Sequence, residues 1–297
     1  MRNFIILKRM ILITDGGSTK CDWIAIDENG NQAADKIRTK GLNPAIIEEK
    51  KLRKTIRKNL ELMALVPEVT HIFFYGAGCG TEKPRLLLKT VLEDYFPQSI
   101  VEVREDTYAA VRACINTNDE AAVVCIMGTG SNCSYFDGRQ LHQRVDSLGY
   151  TLMDDASGNY YGKQLIRDYY FNKMPETISL AFEHKHNLDS DFIKFNLYKQ
   201  ANPSAYLADH AEFMFLNKDS EYIINLIKKG IRLFSENMIL QFKEEIEQGV
   251  PVHFAGSIAF FAQTEIFEVA EEYGFKVGNF VRRPIEGLVG YHIKNLN

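Results

Sequence analysis

Residues 10–27, MILITDGGSTKCDWIAID, contain two apolar runs separated by a glycine turn. Residues 10–14 are apolar and rich in β-branched side chains, which predicts a buried strand. The chain continues after the turn as a second strand at residues 23–26, and an acidic, glycine-containing reversal follows at residues 27–30. A Walker loop or a dinucleotide fingerprint would lead into a helix instead, so this segment predicts a β-hairpin.

The turn of this hairpin, DGGST, has the composition of a phosphate-binding loop. Gly16 and Gly17 allow the backbone to approach a ligand closely and to direct N–H groups at it. The hydroxyl groups of Ser18 and Thr19 add donors, and Asp15 can hold a metal ion through water. An ordinary β-hairpin with a glycine-rich turn fits the same residues equally well, so the turn alone does not identify a ligand.

Length and composition indicate a soluble globular protein. The 297 residues suffice for about two domains, each with its own core. Apolar residues make up 45% of the chain and charged residues 25%, with a net charge of −4. The basic stretch at residues 50–58 resembles a solvated helix face, so we expect neither nucleic acid nor a membrane as a partner. The longest uncharged run, residues 121–136, is too short to span a bilayer.

The cysteines and the N-terminus indicate a reducing compartment. The five cysteines are odd in number, have no CxxC spacing and lie within apolar runs. This pattern predicts buried, reduced thiols and argues against a disulfide framework, a zinc ribbon or an Fe–S site. Lys8 and Arg9 divide the N-terminal apolar run, and no small-residue cleavage site follows it, which is not typical of a signal peptide. We therefore expect a cytoplasmic protein.

The first hairpin has a counterpart in the second half of the chain. Residues 121–127 are apolar, the turn GTGSN follows at residues 128–132, and residues 133–136 return as a strand before an Asp-Gly reversal. A polar break at residues 116–120 separates the two halves and predicts a domain boundary. Two hairpins of one plan are able to grip an oligophosphate from both sides, and the repeat favours this interpretation over chance.

Three further positions are candidates for chemistry, each with a plainer interpretation. Asp106 follows the strand predicted at residues 99–104, at the edge where α/β proteins bind ligands, and it could accept a proton from a substrate hydroxyl. It would serve equally as the N-cap of the next helix. Asn43 lies in a Gly-Leu-Asn-Pro turn, where its side chain is able to donate and accept hydrogen bonds. The same turn is also a good helix-start signal. Asp154 and Asp155 precede a helix, where adjacent acids usually act as caps.

Periodicity predicts the remaining elements. Helical spacing of apolar residues indicates single helices at residues 46–65 and 258–273, a mostly helical region at 175–248 and a short closing helix at 284–294. A third strand is expected at residues 31–38. A further buried strand at residues 250–254 leads into Ala-Gly-Ser, which does not match the GxSxG elbow of hydrolases.

Four motifs together resemble those of the acetate and sugar kinase, heat-shock 70 and actin superfamily. They are the phosphate-1 motif DGGST at 15–19, the catalytic acid Asp106, the phosphate-2 motif GTGSN at 128–132 and the adenosine motif AGS at 255–257. The resemblance extends over the whole chain. Within the superfamily the chain is most similar to the N-acetylglucosamine kinase branch, which is grouped with the BadF/BadG/BcrA/BcrD ATPases. GTGSNC, Asn43 after a strand and the LGYTLMDDASG segment carry this closer similarity.

The resemblance implies an α/β fold of two RNase H-like, actin-like ATPase domains, with mixed five-stranded sheets flanked by helices and a cleft between the domains. We expect the N-terminal domain to comprise residues 1–117 with the closing helix 284–297. The C-terminal domain would comprise residues 118–283, with a helical insertion at about 172–248.

The resemblance also implies an ATP-dependent sugar kinase that transfers the γ-phosphoryl group of MgATP to the 6-hydroxyl of an amino sugar such as N-acetylglucosamine. Asp106 would be the catalytic base, and Asp15 would hold Mg²⁺ through water. The implied ATP-binding residues are Asp15, Gly16, Gly17, Ser18, Thr19, Lys20, Gly128, Thr129, Gly130, Gly256 and Ser257. The implied sugar-binding residues are Asn43, Asp106, Asn132 and Asp154.

One segment departs from the family pattern, and this leaves the identity of the sugar substrate open. Met153, Asp154, Asp155 and Ala156 stand where the family has glycine, an acid, glutamate and glycine.

Two other functions remain open. A BadF-type ATPase activator would need an Fe–S cluster, which the scattered cysteines disfavour. A non-catalytic nucleotide- and sugar-binding regulator is disfavoured by the joint presence of both catalytic acids. The sequence leaves the oligomeric state open, a homodimer included.

Overall fold

The computed structural model describes residues 10–17, 20–115, 120–200 and 202–295. The chain divides into two compact units, Met1–Asn116 with Pro284–Asn297, and Thr117–Arg283. The N-terminal run, most of the expected boundary segment and the last two residues lie outside the described residues. Each unit contains a five-stranded mixed sheet with helices, so the predicted α/β class with two such sheets is confirmed.

The first unit is built on a sheet whose central strand is buried on both faces. Its strands are β1 (Met10–Gly16), β2 (Lys20–Asp27), β3 (Ile37–Lys40), β4 (Val69–Gly76) and β5 (Ile100–Arg104), in the order β3-β2-β1-β4-β5. β1 pairs antiparallel with β2 and parallel with β4. Leu12 packs into the core on one face, while Ile11 and Ile13 pack on the other. This two-sided burial explains why the run is continuously apolar.

Four helices and a closing helix cover this sheet. They are α1 (Glu49–Lys58), α2 (Leu60–Ala64), α3 (Glu82–Tyr95), α4 (Asp106–Cys114) and the closing helix (Pro284–Asn295). The single helix expected at residues 46–65 is wrong, because Asn59 takes an extended conformation between α1 and α2. Its side chain accepts the N–H of Leu62 at 2.8 Å, so Asn59 caps the second helix and does not continue the first.

The strand expected at residues 31–38 is wrong over most of its length. The Asp27 carboxylate accepts the N–H groups of Asn29 and Asn31, each at 2.9 Å. These bonds hold a wide turn, a use of aspartate that competes with strand pairing. β3 therefore begins only at Ile37.

The second unit repeats the topology of the first. Its strands are β6 (Ala122–Met127), β7 (Ser131–Phe136), β8 (Leu141–His142), β9 (Val252–Ala255) and β10 (Val277–Val281), in the order β10-β9-β6-β7-β8. In each sheet the first strand of the unit pairs antiparallel with the second and parallel with the fourth. The hairpin repeat seen in the sequence is therefore a repeat of a whole sheet.

The helices of the second unit lie mostly between β8 and β9. They are α5 (Gly158–Tyr170), α6 (Glu176–Lys185), α7 (Ser190–Tyr198), α8 (Pro203–Asp209), α9 (Glu212–Leu216), α10 (Glu221–Asn237), α11 (Lys243–Glu247), α12 (Ser257–Phe261) and α13 (Gln263–Tyr273). The helix expected at residues 258–273 is interrupted at Ala262. None of the helices that the structure describes has the length and apolar character needed to cross a bilayer.

The closing helix packs directly on α4. A Cβ atom at Gly287 would lie 2.7 Å from the Cβ of Ala113 and 3.0 Å from its carbonyl oxygen. Leu288 is fully buried, in a cluster with Ile11 and Ala109. The C-terminal segment of the chain therefore fixes the helix that begins at Asp106.

Two glycines of the closing helix give a matched test of this packing. Gly287→Ala should lower the free energy of unfolding by about 1–3 kcal/mol, because overpacking against α4 exceeds the gain of about 1 kcal/mol from helix propensity. Gly290→Ala should leave it unchanged or raise it by up to about 1 kcal/mol, since nothing lies within 4 Å of a Cβ there. Urea denaturation measures both variants, and equal effects would refute close packing at Gly287.

Candidate active site

The glycine turn of the first unit closes the hairpin of β1 and β2. The N–H of Gly17 donates to the carbonyl oxygen of Lys20 at 2.8 Å. Ser18 and Thr19, two of the expected phosphate ligands, lie outside the described residues.

A buried aromatic ring lies beneath this turn. A Cβ at Gly16 would lie 2.6 Å from Cζ of Phe74, and a Cβ at Gly76 would lie 2.5 Å from Cε1 of the same ring. Phe74 is almost fully buried and packs edge-on against Trp23, with the ring centroids 6.1 Å apart. The N–H of Ala77 donates to the carbonyl oxygen of Gly16 at 2.8 Å. Glycine is therefore required at both strand ends, and the two backbones lie side by side.

Asn43 and Glu105 pack against the turn at residues 76–80. Gly78 has a φ of 78°, and a Cβ there would lie 1.9 Å from Oδ1 of Asn43. Asn43 is buried, and its Oδ1 accepts the N–H of Ala45 at 3.0 Å. A Cβ at Gly80 would lie 2.6 Å from Oε2 of Glu105. The turn thus holds Asn43 on one side and the residue before Asp106 on the other.

Asp15 and Asp106 are coupled electrostatically. Asp106 is the first residue of α4, not its N-cap, and its Oδ1 accepts the N–H of Thr107 at 3.1 Å. Partial loss of hydration raises the pKa of Asp106, although the backbone N–H groups of Asp106 and Thr107 oppose this. The pKa of Asp15 is also raised, first by loss of hydration and then by the negative charges of Asp106 and Asp22. Both carboxylates still reach solvent.

These residues share one edge of the first sheet. The strands β1, β4 and β5 run parallel, so their carboxyl ends meet there, where α/β sheets bind ligands. The structure brings together Asp15, Asn43 and Asp106, with the positive charge of Lys20 near enough to lower the pKa of Asp15. The turn at residues 76–80 belongs to the same edge but was not among the expected site residues. The sequence signal for it is GAGCG at the end of a buried strand.

In the second unit, α5 holds the glycine turn after β6. The N–H groups of Gly158 and Asn159 donate to the carbonyl oxygens of Gly128 and Thr129, at 2.7 and 3.0 Å. The N–H of Gly128 donates to the carbonyl oxygen of Gly130 at 2.9 Å. Within the described residues, the N–H groups of Thr129 and Gly130 have no protein acceptor. The three carbonyl groups of the turn at residues 128–130 therefore accept protein N–H groups, and two of its N–H groups are offered to an anion.

Asp154 lies against the same turn. A Cβ at Gly130 would lie 2.8 Å from Oδ2 of Asp154, and Nδ2 of Asn159 donates to that oxygen at 2.9 Å. Asp154 and Ala156 have φ values of 68° and 57°, a left-handed conformation that strains non-glycine residues. The N-cap of α5 is Ser157, whose Oγ accepts the N–H of Tyr160 at 3.2 Å. Capping therefore does not explain the acid at 154.

Three other residues expected at the site belong to this unit: Gly256, Ser257 and Asn132. Gly256 has a φ of 110°, and a Cβ there would lie 2.4 Å from the carbonyl oxygen of Met127, so it abuts the start of the turn. Ser257 is the first residue of α12. Asn132 lies within β7, and its Oδ1 accepts the hydroxyl of Ser134 at 3.4 Å.

Asp15 is compatible with magnesium held through water. In the described part of the chain, no three His, Cys, Asp or Glu side chains are arranged to hold a metal ion directly. Mg²⁺ retains several waters and usually binds through one or two carboxylates with substrate phosphates. The negative charge that Asp106 and Asp22 add around Asp15 favours a cation there.

Comparison with known proteins gives matches only among solved structures. No family model and no curated protein matches the chain. A provisionally assigned N-acetylglucosamine kinase from Porphyromonas gingivalis is 31% identical, covers 97% of this chain and 100% of its own, and superposes with a TM-score of 0.86. A protein of the same provisional assignment from Chromobacterium violaceum is 12% identical, with 96% and 99% coverage and a TM-score of 0.65.

A third matching structure was solved with a sugar and a nucleotide bound. A glucokinase of the ROK family from Streptomyces griseus, solved with glucose and AMPPNP, is 12% identical, with 95% and 97% coverage and a TM-score of 0.55. At 12% identity, the second and third matches establish similarity of fold alone.

Phe74 and Gly16 should show strong energetic coupling. Gly16→Ala should lower the melting temperature because the new methyl group meets Phe74, which cannot move away from Trp23. In the double variant with Phe74→Leu, the added cost of the alanine should fall to about 1 kcal/mol or less. Gly128→Ala, in the turn of the second unit, is the control, since nothing lies within 4 Å of a Cβ there. Additive effects at Gly16 and Phe74 in thermal denaturation would contradict the contact.

Two acids of the first unit should affect stability with opposite signs. Despite partial loss of hydration, hydrogen bonds from Arg38 and Lys36 lower the pKa of Asp22 to about 2. Asp22→Asn should therefore cost about 1–2 kcal/mol at neutral pH, and this contribution disappears as pH falls from 3.8 through about 2. The raised pKa of Asp106 means that its charged form destabilises the fold above pH 3.8.

Asp106→Asn should accordingly raise the free energy of unfolding at neutral pH, and the gain should vanish below pH 3.8, where the carboxyl group is protonated in both states. Denaturant unfolding of both variants across pH measures these effects. A loss of stability in Asp106→Asn at neutral pH would show that burial of the charge is not the dominant effect.

Proposed function

Because the chain belongs to the family of actin-like sugar kinases that includes the Porphyromonas gingivalis protein, we propose that it transfers the γ-phosphoryl group of MgATP to the 6-hydroxyl of an amino sugar. N-acetylglucosamine is the expected acceptor. The observation that carries the proposal is the position of two carboxylates, Asp15 and Asp106, at the carboxyl edge of a parallel set of strands beside a glycine turn.

Asp106 acts as the general base. The acceptor hydroxyl oxygen forms a bond to the γ-phosphorus, the bond from that phosphorus to the bridging oxygen of ADP breaks, and the hydroxyl proton passes to the Asp106 carboxylate. Partial loss of hydration raises the pKa of Asp106, and a carboxylate with a raised pKa is a stronger base than one in water. Its position at the start of α4, which the closing helix fixes, keeps the base in one place.

We assign phosphate binding to the glycine turn of each unit. In the first unit we assign this role to Gly16, Gly17, Ser18 and Thr19, with Lys20 as the nearby positive charge. In the second unit the free N–H groups of Thr129 and Gly130 donate to phosphate oxygens, and Gly128 keeps the backbone close. Gly256 and Ser257 lie beside the adenosine.

Asp15 would hold Mg²⁺ through a water molecule, and the ion would supply positive charge to the β- and γ-phosphates. Asn43, Asn132 and Asp154 bind the hydroxyl and acetamido groups of the sugar. Asp154 suits such a role because its strained backbone holds the carboxylate against Gly130. The helix α5 does not need this carboxylate as a cap, since its N-cap is Ser157.

The decisive measurement is sugar-dependent release of ADP. The wild type should release ADP in the presence of N-acetylglucosamine, and Asp106→Asn should lower kcat by about 10²–10⁴ while retaining affinity for ATP. Asp35→Asn, a change to an exposed acid of the same unit, should leave kcat unchanged. A panel of amino sugars in the same coupled assay identifies the preferred acceptor.

A 6-deoxy sugar separates phosphoryl transfer at carbon 6 from other reactions. It should bind without supporting ADP release. Full turnover of Asp106→Asn would remove this residue from the mechanism. Binding of ATP and sugar without any sugar-dependent ADP release would contradict the kinase proposal and favour a regulator.

A further inference from the structure

A basic groove lies in the first unit between β3 and α1. It encloses about 680 Å³, a volume typical of small-molecule sites. We call it the lysine groove. Its walls are Arg38, Thr39, Lys40, Gly41, Ile47, Lys51, Lys54, Thr55, Lys58 and Asn59. One wall is the outermost strand of the sheet, and the other is one side of a helix.

Most of the positive charge that lines the groove has no acidic partner. Five of its side chains are cationic, and none is acidic. Arg38 is neutralised by Asp22, to which its Nε and Nη2 donate at 2.6 and 3.2 Å. Lys40, Lys51, Lys54 and Lys58 form no ion pair in the part of the chain that the structure describes. Four unpaired positive charges therefore face one cavity.

The acids near α1 serve a different side of the helix. Arg53 is paired with Glu49 and with Asp94, each at 2.8 Å. These pairs lie at an adjoining surface depression, which shares Lys54 with the lysine groove and is also lined by Lys50 and Arg57. The helix thus has carboxylates available, but they do not compensate the lysine groove.

Helical spacing concentrates the lysine charges. Lys51 and Lys54 are three residues apart, and Lys54 and Lys58 are four apart, so each pair occupies neighbouring positions on the helix surface. Like charges at these spacings repel and destabilise a helix. A bound anion would convert this repulsion into attraction. Lysine binds phosphate groups as a point charge, and four such charges match an anion with several phosphoryl groups better than a monoanion.

We propose that the lysine groove is a binding site for a small anion that carries at least two phosphoryl groups; its lining contains none of the residues assigned to the candidate active site. The hydroxyl of Thr55 adds a neutral donor, and Ile47 supplies an apolar wall. The volume of the groove favours a small molecule over an extended polymer. The proposal is independent of the kinase reaction and does not rest on it.

Calorimetric titration of the full chain with inorganic tripolyphosphate tests the site, in EDTA so that magnesium-dependent binding does not contribute. The wild type should bind tripolyphosphate, more weakly as salt is added. Lys51→Gln with Lys58→Gln should weaken binding about ten-fold or more, since glutamine keeps the helix but removes two charges. A second titration with fructose 1,6-bisphosphate distinguishes an organic phosphate from an inorganic one, and tighter binding of either identifies the source.

The matched control removes two charges from the same helix outside the groove. Lys50→Gln with Arg57→Gln should retain wild-type affinity within about two-fold if binding is local. Lys20→Gln, which removes the positive charge assigned to the proposed ATP phosphate site, should also retain it, which separates the lysine groove from that site. Equal losses in both double variants, or no binding of either anion to the wild type, would overturn the proposal. Tighter binding of a single-stranded oligonucleotide than of tripolyphosphate would overturn it in favour of a nucleic-acid surface.

Discussion

The contact between the Phe74 ring and the backbones of Gly16 and Gly76 is the constraint on which the candidate site of the first unit depends. Phe74 fills the core against Trp23, so its ring is fixed by the packing of the whole sheet. Only glycine leaves room above it at the ends of β1 and β4. The core thereby brings two backbone turns together at the strand ends where ligands bind, and hydrophobic packing sets the geometry of a polar surface.

In the second unit, hydrogen bonds and strained backbone conformations position the glycine turn and Asp154. Its turn is held by the first N–H groups of α5, and Gly256 abuts the carbonyl group of Met127. The bend that presents Asp154 is made with two left-handed residues that are not glycine. Strain of this kind persists only where surrounding contacts enforce it, and it is common at functional sites.

Two carboxylates at the edge of the first sheet lower the stability of the folded protein when they are charged. Asp15 and Asp106 share one region and lose hydration there, so the charged forms that a kinase would use are disfavoured by the fold. The nearby Asp22 is instead stabilised by Arg38 and Lys36. The same unit thus contains acids that maintain the fold and acids that weaken it, and only the second kind suits proton transfer or a bound cation.

The sequence by itself determined the features that depend on local pattern. Alternation and glycine turns predicted both hairpins, the buried strands and the position of Asp106 at a strand end, because side-chain periodicity and turn chemistry act over a few residues. The tertiary structure decided what depends on residues distant in the chain. These include the pairing of β1 with β4, the ring of Phe74 beneath Gly16, and the hydrogen bond that Nδ2 of Asn59 donates to the carbonyl oxygen of Arg38. Contacts of this kind leave no local signal, since each partner alone is an ordinary aromatic, glycine or asparagine residue.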